Sequence, residues 1–273
     1  STWSSNPAMA TARNNGAMGP IGTSTAGLVA GGAPALTATE EYNFGTTVTT
    51  AAAWASGNAM NTSRRYIAGM GTQTAGLFAS GYTTTASAAA ESYDGSSFTS
   101  VPSLGTARYA ASSAGTQTAG LVFGGMIGGL KDETEEYNGS SWAEQSNLNT
   151  ARGEAGGLGI QTAALMFGGS LPSPTGATEE YDGSSWTTSP NSLNTARRGI
   201  IGGSGTQTAG LAFGGTPPVT GATESYNGTA WTAVSPLITA RASLAPAIAG
   251  TQTAALAFGG DTGSVSAATE GYD

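Results

Sequence analysis

Short apolar runs alternate with polar turns along the whole chain, and the same arrangement returns six times. In one of these units, residues 118–123 read Thr-Ala-Gly-Leu-Val-Phe and stop at a pair of glycines. A short, continuous apolar run bounded by turn residues is typical of a strand buried on both faces. Residues 134–137, Thr-Glu-Glu-Tyr, alternate in polarity and predict a neighbouring strand. The pattern therefore predicts β structure rather than helix.

Two more strands complete the unit. Asn138 and Gly139 precede Ser-Ser-Trp and predict a tight type I′ hairpin in which both turn residues have positive φ. Upstream, the stretch from Arg108 to Gln117 contains mostly small side chains, which suit an innermost strand where several sheets converge. One unit thus predicts four antiparallel strands, which is the content of one propeller blade.

An arginine ends each unit and recurs at a spacing of about 45 residues, a repeat length characteristic of β-propellers. The two ends of the chain, Ser1-Thr2-Trp3 and Tyr272-Asp273, together resemble the Tyr-Asp-Gly-Ser-Ser-Trp turn found inside the chain. The N-terminal strand is therefore expected to complete the last blade, which leaves no free sheet edge. The fold prediction is all-β: a single domain over residues 1–273, built as a six-bladed propeller with four-stranded antiparallel blades.

Composition narrows the function. The formal net charge is −8, and six of the nine Lys and Arg residues are the repeat arginines, so no basic stripe is left to bind nucleic acid. No apolar run approaches the roughly 18 residues of a membrane span, so membrane insertion is not expected. The chain has no Cys and no His, which excludes disulfides, thiol and imidazole catalysis and most transition-metal sites. We therefore expect no metal and no cofactor.

The glycine pair after an apolar strand, the downstream Tyr and Trp, and the closing Arg resemble the Kelch repeat, and these elements cover essentially the whole chain. Tyr137 and Trp142 stand five residues apart, whereas the two positions are usually further apart in a Kelch unit. The resemblance implies a shortened, Kelch-like propeller. Kelch domains mostly bind protein partners through the loops of one face. The copper chemistry of one oxidase in the family needs His and Cys, which this chain lacks.

A second resemblance concerns the amino-acid sequence of the repeat. The segments Gly-Thr-Gln-Thr-Ala and Glu-Glu-Tyr-Asn-Gly-Ser-Ser-Trp are similar to repeats in predicted structural proteins of tailed phages from marine settings. This resemblance implies a virion or extracellular location, in a tail fibre or on a capsid. The partners it implies are a host-surface glycan or protein, or another virion protein.

The repeat glutamates match the repeat arginines one for one, so we expect six charge-assisted pairs that brace the blades. Identical groups repeated in every blade rarely form one asymmetric catalytic site, which favours a structural role. The glutamates are Glu40, Glu91, Glu135, Glu179, Glu224 and Glu270, and the arginines are Arg13, Arg64, Arg108, Arg152, Arg197 and Arg241.

The units differ mainly after the glycine pair, while the Gly-Thr-Gln-Thr and Asn/Asp-Gly turns barely change. Because strands alternate in direction, the two constant turns are expected on one propeller face and the variable connections on the other. A rigid scaffold with diversified loops is a common design for binding, although drift in unconstrained loops is the alternative. The candidate ligand-binding residues are Tyr82, Met126, Ile127, Lys131, Asp132, Leu171, Pro217, Val219 and Asp261.

These observations predict a non-enzymatic binding or structural module, with no catalytic residues, in a phage particle. Its variable face is expected to contact a host-surface glycan or a protein partner, with Tyr82 suited to stacking on a sugar. The alternative is a carbohydrate-active enzyme that uses acidic residues at the channel mouth. Those residues are Asp132, Glu133, Glu154 and Asp261.

Overall fold

A computed structural model describes residues 1–15, 22–23, 25–33, 36–43, 53–170, 173–200 and 203–273. Within these ranges, 24 strands form six four-stranded antiparallel sheets, and no helix occurs. Consecutive strands pair in each sheet, and the sheets surround one axis as the blades of a propeller. The prediction of an all-β, six-bladed propeller is confirmed.

The strands are short, and most contain four or five residues. Strand β1 (Trp3–Asn6) belongs to the last blade. Blade 1 consists of β2 (Gly22–Thr23), β3 (Ala26–Ala30), β4 (Thr39–Asn43) and β5 (Ala53–Gly57). Blade 2 consists of β6 (Ala68–Thr72), β7 (Ala75–Ala79), β8 (Ala90–Tyr93) and β9 (Phe98–Val101). Blade 3 consists of β10 (Ser112–Gly115), β11 (Gly120–Phe123), β12 (Thr134–Tyr137) and β13 (Trp142–Gln145). Blade 4 consists of β14 (Gly156–Ile160), β15 (Ala163–Phe167), β16 (Thr178–Tyr181) and β17 (Trp186–Thr188). Blade 5 consists of β18 (Gly203–Thr206), β19 (Ala209–Phe213), β20 (Thr223–Tyr226) and β21 (Trp231–Val234). Blade 6 consists of β22 (Ala245–Thr251), β23 (Ala254–Phe258), β24 (Thr269–Tyr272) and β1.

The composition of each strand matches its depth in the blade. The first strand of every blade lies nearest the axis, where it contacts the first strands of both neighbouring blades. Ser113 on β10 donates a hydrogen bond from its Oγ to the Gly69 carbonyl of the preceding blade at 2.9 Å. The second strand is buried along nearly its whole length, and Leu121 and Phe123 are fully buried. Small residues therefore suit the crowded axis, and apolar residues fill the space between blades.

Large aromatic rings join each blade to its neighbour. Tyr181 and Trp186 face each other across β16 and β17, with ring centroids 5.0 Å apart. Trp186 also lies 4.8 Å from Phe123 of the preceding blade, and its indole N–H donates to the Thr134 hydroxyl at 2.9 Å. Burial of one such ring stabilises the fold by about 2–3 kcal/mol. Trp231 repeats this arrangement one blade further on.

The N-terminal strand closes the ring, as predicted. Strand β1 pairs antiparallel with β24, and Trp3 faces Tyr272 in the register that Trp186 and Tyr181 have inside the chain. The Trp3 ring lies 5.1 Å from Tyr272 and 5.1 Å from Phe213 of the preceding blade. The two ends of the chain therefore supply the same aromatic contact that the interior turns supply elsewhere.

The hairpin between the third and fourth strands differs from the prediction. Only Gly139 of the Asn138-Gly139 pair has positive φ, and the connection spans the four residues 138–141. The Asn138 carboxamide oxygen instead accepts the backbone N–H groups of Ser140 and Ser141, both at 2.9 Å. This Asx turn satisfies the loop backbone without a second left-handed residue, so the predicted type I′ turn is wrong.

The loops divide the propeller into two faces, as the alternation of strand directions predicts. The Gly-Thr-Gln-Thr and Asn/Asp-Gly turns lie together on what we call the constant face. Among the described residues, the connections after the glycine pairs and before the first strands lie on the opposite, variable face. Gly124 begins one such connection with φ of 66°, and a Cβ there would lie 2.6 Å from the Arg152 carbonyl. In the described ranges, no helix is present that has the length and hydrophobicity to cross a membrane.

Candidate functional site

Buried arginines support the roots of the loops on the variable face. Arg152 is fully buried; its Nη2 donates to Glu179 Oε1 at 2.8 Å, and its Nη1 donates to the Ala177 carbonyl at 2.7 Å. The other oxygen of Glu179 accepts the Asn149 backbone N–H at 2.7 Å. Each pair therefore ties the loop after the glycine pair to the loop that enters the same blade.

The same ion pair occurs in all six blades. Burial lowers the pKa of Arg152 below its ordinary value, although Glu179 opposes the shift, and a guanidinium stays charged at neutral pH. The other pairs are Arg13–Glu40 (2.6 Å), Arg64–Glu91 (2.7 Å), Arg108–Glu135 (2.6 Å), Arg197–Glu224 and Arg241–Glu270 (2.8 Å).

Nearer the axis, backbone hydrogen bonds link the six blades in a closed ring on the variable face. The residue two positions after each repeat arginine donates its N–H to the matching carbonyl of the preceding blade, as Ala110 does to Tyr66 at 3.2 Å and Glu154 does to Ala110 at 3.1 Å. Every member has positive φ, a conformation that costs a residue other than glycine about 1–3 kcal/mol and that clusters at functional sites. The members of this axial ring are Asn15, Tyr66, Ala110, Glu154, Gly199 and Ser243.

Three tyrosines and an arginine converge beside the axial ring. Arg65 and Tyr82 exchange two backbone hydrogen bonds of 3.0 and 2.8 Å, and the Arg65 guanidinium lies 5.1 Å from the Tyr82 ring centroid. It also lies 5.7 Å from the Tyr66 ring. The Tyr109 ring contacts both, at 5.1 Å from Tyr82 and 5.9 Å from Tyr66. All four side chains are only partly buried, so they present aromatic and cationic surface to solvent.

Polar pairs occupy the rest of this region. Arg198 Nη1 lies 3.3 Å from Glu154 Oε2, and the Arg198 side chain is 44% exposed. On another side of the ring, Asn14 donates its Nδ2 to Asp261 Oδ2 at 3.0 Å. We use the name axial patch for the set Asn14, Asn15, Arg65, Tyr66, Tyr82, Tyr109, Glu154, Arg198 and Asp261.

The charges of the axial patch act on one another across the axis. Burial raises the pKa of Tyr66, and Glu154 raises it further, whereas Arg65 and Arg198 lower it. Tyr66 therefore senses both arginines and the carboxylate, although these residues come from different blades. Charges from three blades therefore act together on Tyr66.

The predicted ligand-binding residues fall in different places. Tyr82 and Asp261 belong to the axial patch, and Met126 packs beside it against Ala110, which Tyr66 and Tyr109 also contact. The residues further out lie in loops around the rim of the same face, where Ile127 and Val219 are 39% and 38% exposed and Pro217 is also exposed. Lys131 pairs with Glu133 at 3.0 Å. The Asp132 backbone carbonyl accepts the Leu148 backbone N–H. Leu171 lies outside the described residues.

Sequence reasoning missed most of the axial patch. Arg65, Tyr66, Tyr109 and Arg198 follow repeat arginines directly, in a stretch that the repeat pattern assigns to the innermost strand of small residues. The structure instead begins that strand later, at Ser112 in the third blade. A usable signal was present, because the two residues after each repeat arginine differ in every unit.

A cavity of about 800 Å³ opens at the other end of the axis, on the constant face. Glycines and threonines from the turns of five blades line it, together with Ile160, and none of these lining residues is charged. Its glutamines are already used between blades: Gln207 Nε2 donates to the carbonyls of Tyr181 at 2.7 Å and Ala164 at 3.0 Å. Because both glutamine amides serve the scaffold and no lining residue is charged, this cavity offers less specific chemistry than the axial patch.

The acidic residues named for the enzymatic alternative come from three blades, with Asp132 and Glu133 adjacent in one loop, and three of the four have their own partners. Glu133 pairs with Lys131, Glu154 with Arg198, and Asp261 accepts from Asn14. Among the residues that the structure describes, no group of three or more Asp and Glu side chains is arranged to hold a metal ion.

The fold defines a six-bladed β-propeller in which the strands and the ion pairs repeat from blade to blade, and its variable face carries the axial patch. Among solved structures, the chain is similar to the structure of YjhT, with a TM-score of 0.76 and 12% sequence identity over 97% of this chain and 95% of that chain. This likeness shows the fold alone. No known protein family and no curated protein matches the sequence.

Proposed function

We propose that this propeller is a binding module and that its axial patch recognises a saccharide. The observation that carries the proposal is the convergence of Tyr66, Tyr82 and Tyr109 with two arginines and Glu154 around the axis. Aromatic faces stack on the apolar faces of sugar rings, and charged or amide groups bind the hydroxyls around them. The axial patch supplies both kinds of group within one surface.

The support beneath the patch favours binding with little rearrangement. Six buried ion pairs hold the loop roots, and the axial ring fixes the backbone of Tyr66 and Glu154. A rigid surface loses little conformational entropy when it binds, which favours affinity. The scaffold is the same in each blade, so specificity depends on the positions at which the blades differ.

The location follows from the resemblance to phage repeats. On that resemblance we propose that the module lies on the outside of a virion, where a host-surface glycan is the saccharide it meets. The Kelch-like pattern of the repeat is in keeping with a propeller that binds through one face.

The test is a glycan array probed with the labelled chain and with Tyr82→Ala. Tyr82 contacts Arg65 and Tyr109 but makes no ion pair, so its removal deletes stacking surface without leaving a buried charge. We expect the variant to lose about ten-fold or more in affinity, as is usual for a central aromatic contact. Thr206→Val, in the cavity on the constant face, is the control and is expected to bind normally.

The outcomes separate the candidate functions. Saturable binding that Tyr82→Ala weakens and Thr206→Val leaves intact supports the proposal. Equal binding by both variants, or loss in Thr206→Val alone, contradicts it and directs attention to the constant face. Release of reducing ends from a bound glycan favours the carbohydrate-active enzyme. Absence of glycan binding at any concentration contradicts the proposal and leaves a protein partner for the variable face.

A further inference from the structure

The cations of this acidic protein are almost all neutralised. Six of the nine basic residues lie in the buried Arg–Glu pairs. Two more, Lys131 and Arg198, each have a carboxylate partner on the variable face. Arg65 is the exception: within the described ranges it forms no ion pair and donates no side-chain hydrogen bond. Its Nε is buried and has no partner there.

Neighbouring residues hold the Arg65 guanidinium in place, but none of those that the structure describes accepts a hydrogen bond from it. Its backbone is fixed by the two hydrogen bonds to Tyr82, and its guanidinium lies against the rings of Tyr66 and Tyr82. Ring faces attract the cation but accept none of its planar N–H donors. The guanidinium is therefore positioned, and its two terminal NH2 groups, unlike the buried Nε, remain available as a pair of donors.

We infer that Arg65 binds an oxyanion on the saccharide, so that the ligand of the axial patch is an acidic sugar. This inference rests on the proposed function, and it deepens that proposal by naming the class of ligand. A guanidinium matches a planar or tetrahedral oxyanion through two parallel N–H···O bonds, which neutral hydroxyls cannot reproduce. Carboxylate and sulfate share this chemistry, and both occur on acidic saccharides.

The remaining charges of the patch fit an acidic sugar bound in one orientation. Glu154 is held by Arg198, and Asp261 is held by Asn14, so both carboxylates of the patch already have partners. Glu154 raises the pKa of Tyr66, but neither carboxylate pairs with Arg65, which is the one cation of the patch without an ion-pair partner among the described residues. The anionic group is therefore expected beside Arg65, with the sugar ring over Tyr82.

The test compares matched ligands and matched variants of the full chain. The probes are a uronic-acid oligosaccharide, the same oligosaccharide after carboxyl reduction, and a sulfated oligosaccharide. The variants are Arg65→Gln, which removes the charge, Arg65→Lys, which keeps the charge but not the fork, and Asn138→Asp. The last changes the net charge by the same amount as Arg65→Gln but lies in a turn on the constant face, where Asp182 forms the equivalent turn, and it is the control for overall charge. Circular dichroism and melting curves establish that each variant folds.

We expect the wild-type chain to bind an acidic probe about ten- to a hundred-fold more tightly than the neutral one, which is the usual effect of a charge-assisted hydrogen-bonded pair. Arg65→Gln is expected to reduce that ratio to near one, Arg65→Lys to retain part of it, and Asn138→Asp to leave it unchanged. Higher salt should weaken binding of the acidic probe more than of the neutral one. The acidic probe with the larger ratio identifies carboxylate or sulfate as the group bound.

Several results would overturn the inference. Equal binding of acidic and neutral probes, or an acid preference that survives in Arg65→Gln, removes Arg65 as the oxyanion site but leaves saccharide binding standing. The same conclusion follows if only neutral glycans bind. If no saccharide of either kind binds, the proposed function and the inference both fail.

Discussion

The buried ion pairs give the sharpest test of the scaffold, and Arg152→Ala is the most informative change. Removing this side chain leaves the Glu179 carboxylate buried without its cation and leaves the Ala177 carbonyl without its donor. Breaking a buried pair in this way costs about 3–5 kcal/mol. For a chain of this size about 2–4 °C of melting temperature corresponds to 1 kcal/mol, so the variant should melt about 6–20 °C lower.

The assay is thermal unfolding followed by circular dichroism, with urea unfolding as a second measure of the free energy. Arg198→Ala is the matched control, because Arg198 pairs with Glu154 on the surface and is 44% exposed. Exposed pairs contribute about 0–1 kcal/mol, so this control should melt close to the wild-type temperature.

A double variant separates the charge from the packing. Arg152→Met with Glu179→Leu removes both charges, and such replacements are often close to neutral. We expect only partial recovery here, since the N–H of Asn149 and the carbonyl of Ala177 still lose their partners. If Arg152→Ala melts within about 2 °C of the wild type, which corresponds to 1 kcal/mol or less, the bracing role is refuted.

Two further predictions concern ring closure and the hairpin turns. Trp3→Ala removes a ring that is 7% exposed and packs against the preceding blade. The free energy of unfolding should fall by about 3–5 kcal/mol, which lowers the urea midpoint. An unchanged midpoint would show that β1 does not close the ring in solution. Backbone and side-chain hydrogen bonds from Ser97 and Ser96 lower the pKa of Asp94 to about 2 in the folded protein. The stability that the Asp94 carboxylate contributes is therefore present above the unfolded pKa of about 3.9 and is lost as the pH falls towards 2. Asp94→Asn, which keeps the turn that Asn138 forms, should lose less stability than the wild type in that acid window; equal losses in a melting series would contradict the assignment.

The fold could be predicted from the repeat because the same pattern of strand and aromatic positions recurs in each blade. The apolar second strand, the Tyr and Trp positions and the matching chain ends each have one physical use in a propeller, and the pairing of Trp3 with Tyr272 follows from them. The hairpin was harder, because Asn138 can satisfy a turn either by adopting positive φ or through its side chain. Only the geometry decides between these, and the structure has the second.

The candidate site was less predictable, since function depends on the positions where the repeat fails. Tyr82 and Asp261 stand in visibly variable loops, and both belong to the axial patch. Tyr66 and Tyr109 stand beside the repeat arginines, and nothing in their local pattern indicates that the chain there turns through the axial ring with positive φ. Their convergence is a property of the closed ring, because Tyr66, Tyr109 and Glu154 come from different blades.

The central claim is that the axial patch, and not the cavity on the constant face, binds the ligand. The most direct measurement is a crystal structure of the chain with the glycan that binds most strongly. We predict a sugar ring stacked on Tyr82 with an oxyanion at the Arg65 guanidinium. Ligand density in the cavity lined by Thr116, Thr206 and Thr251, with the axial patch empty, would contradict the account.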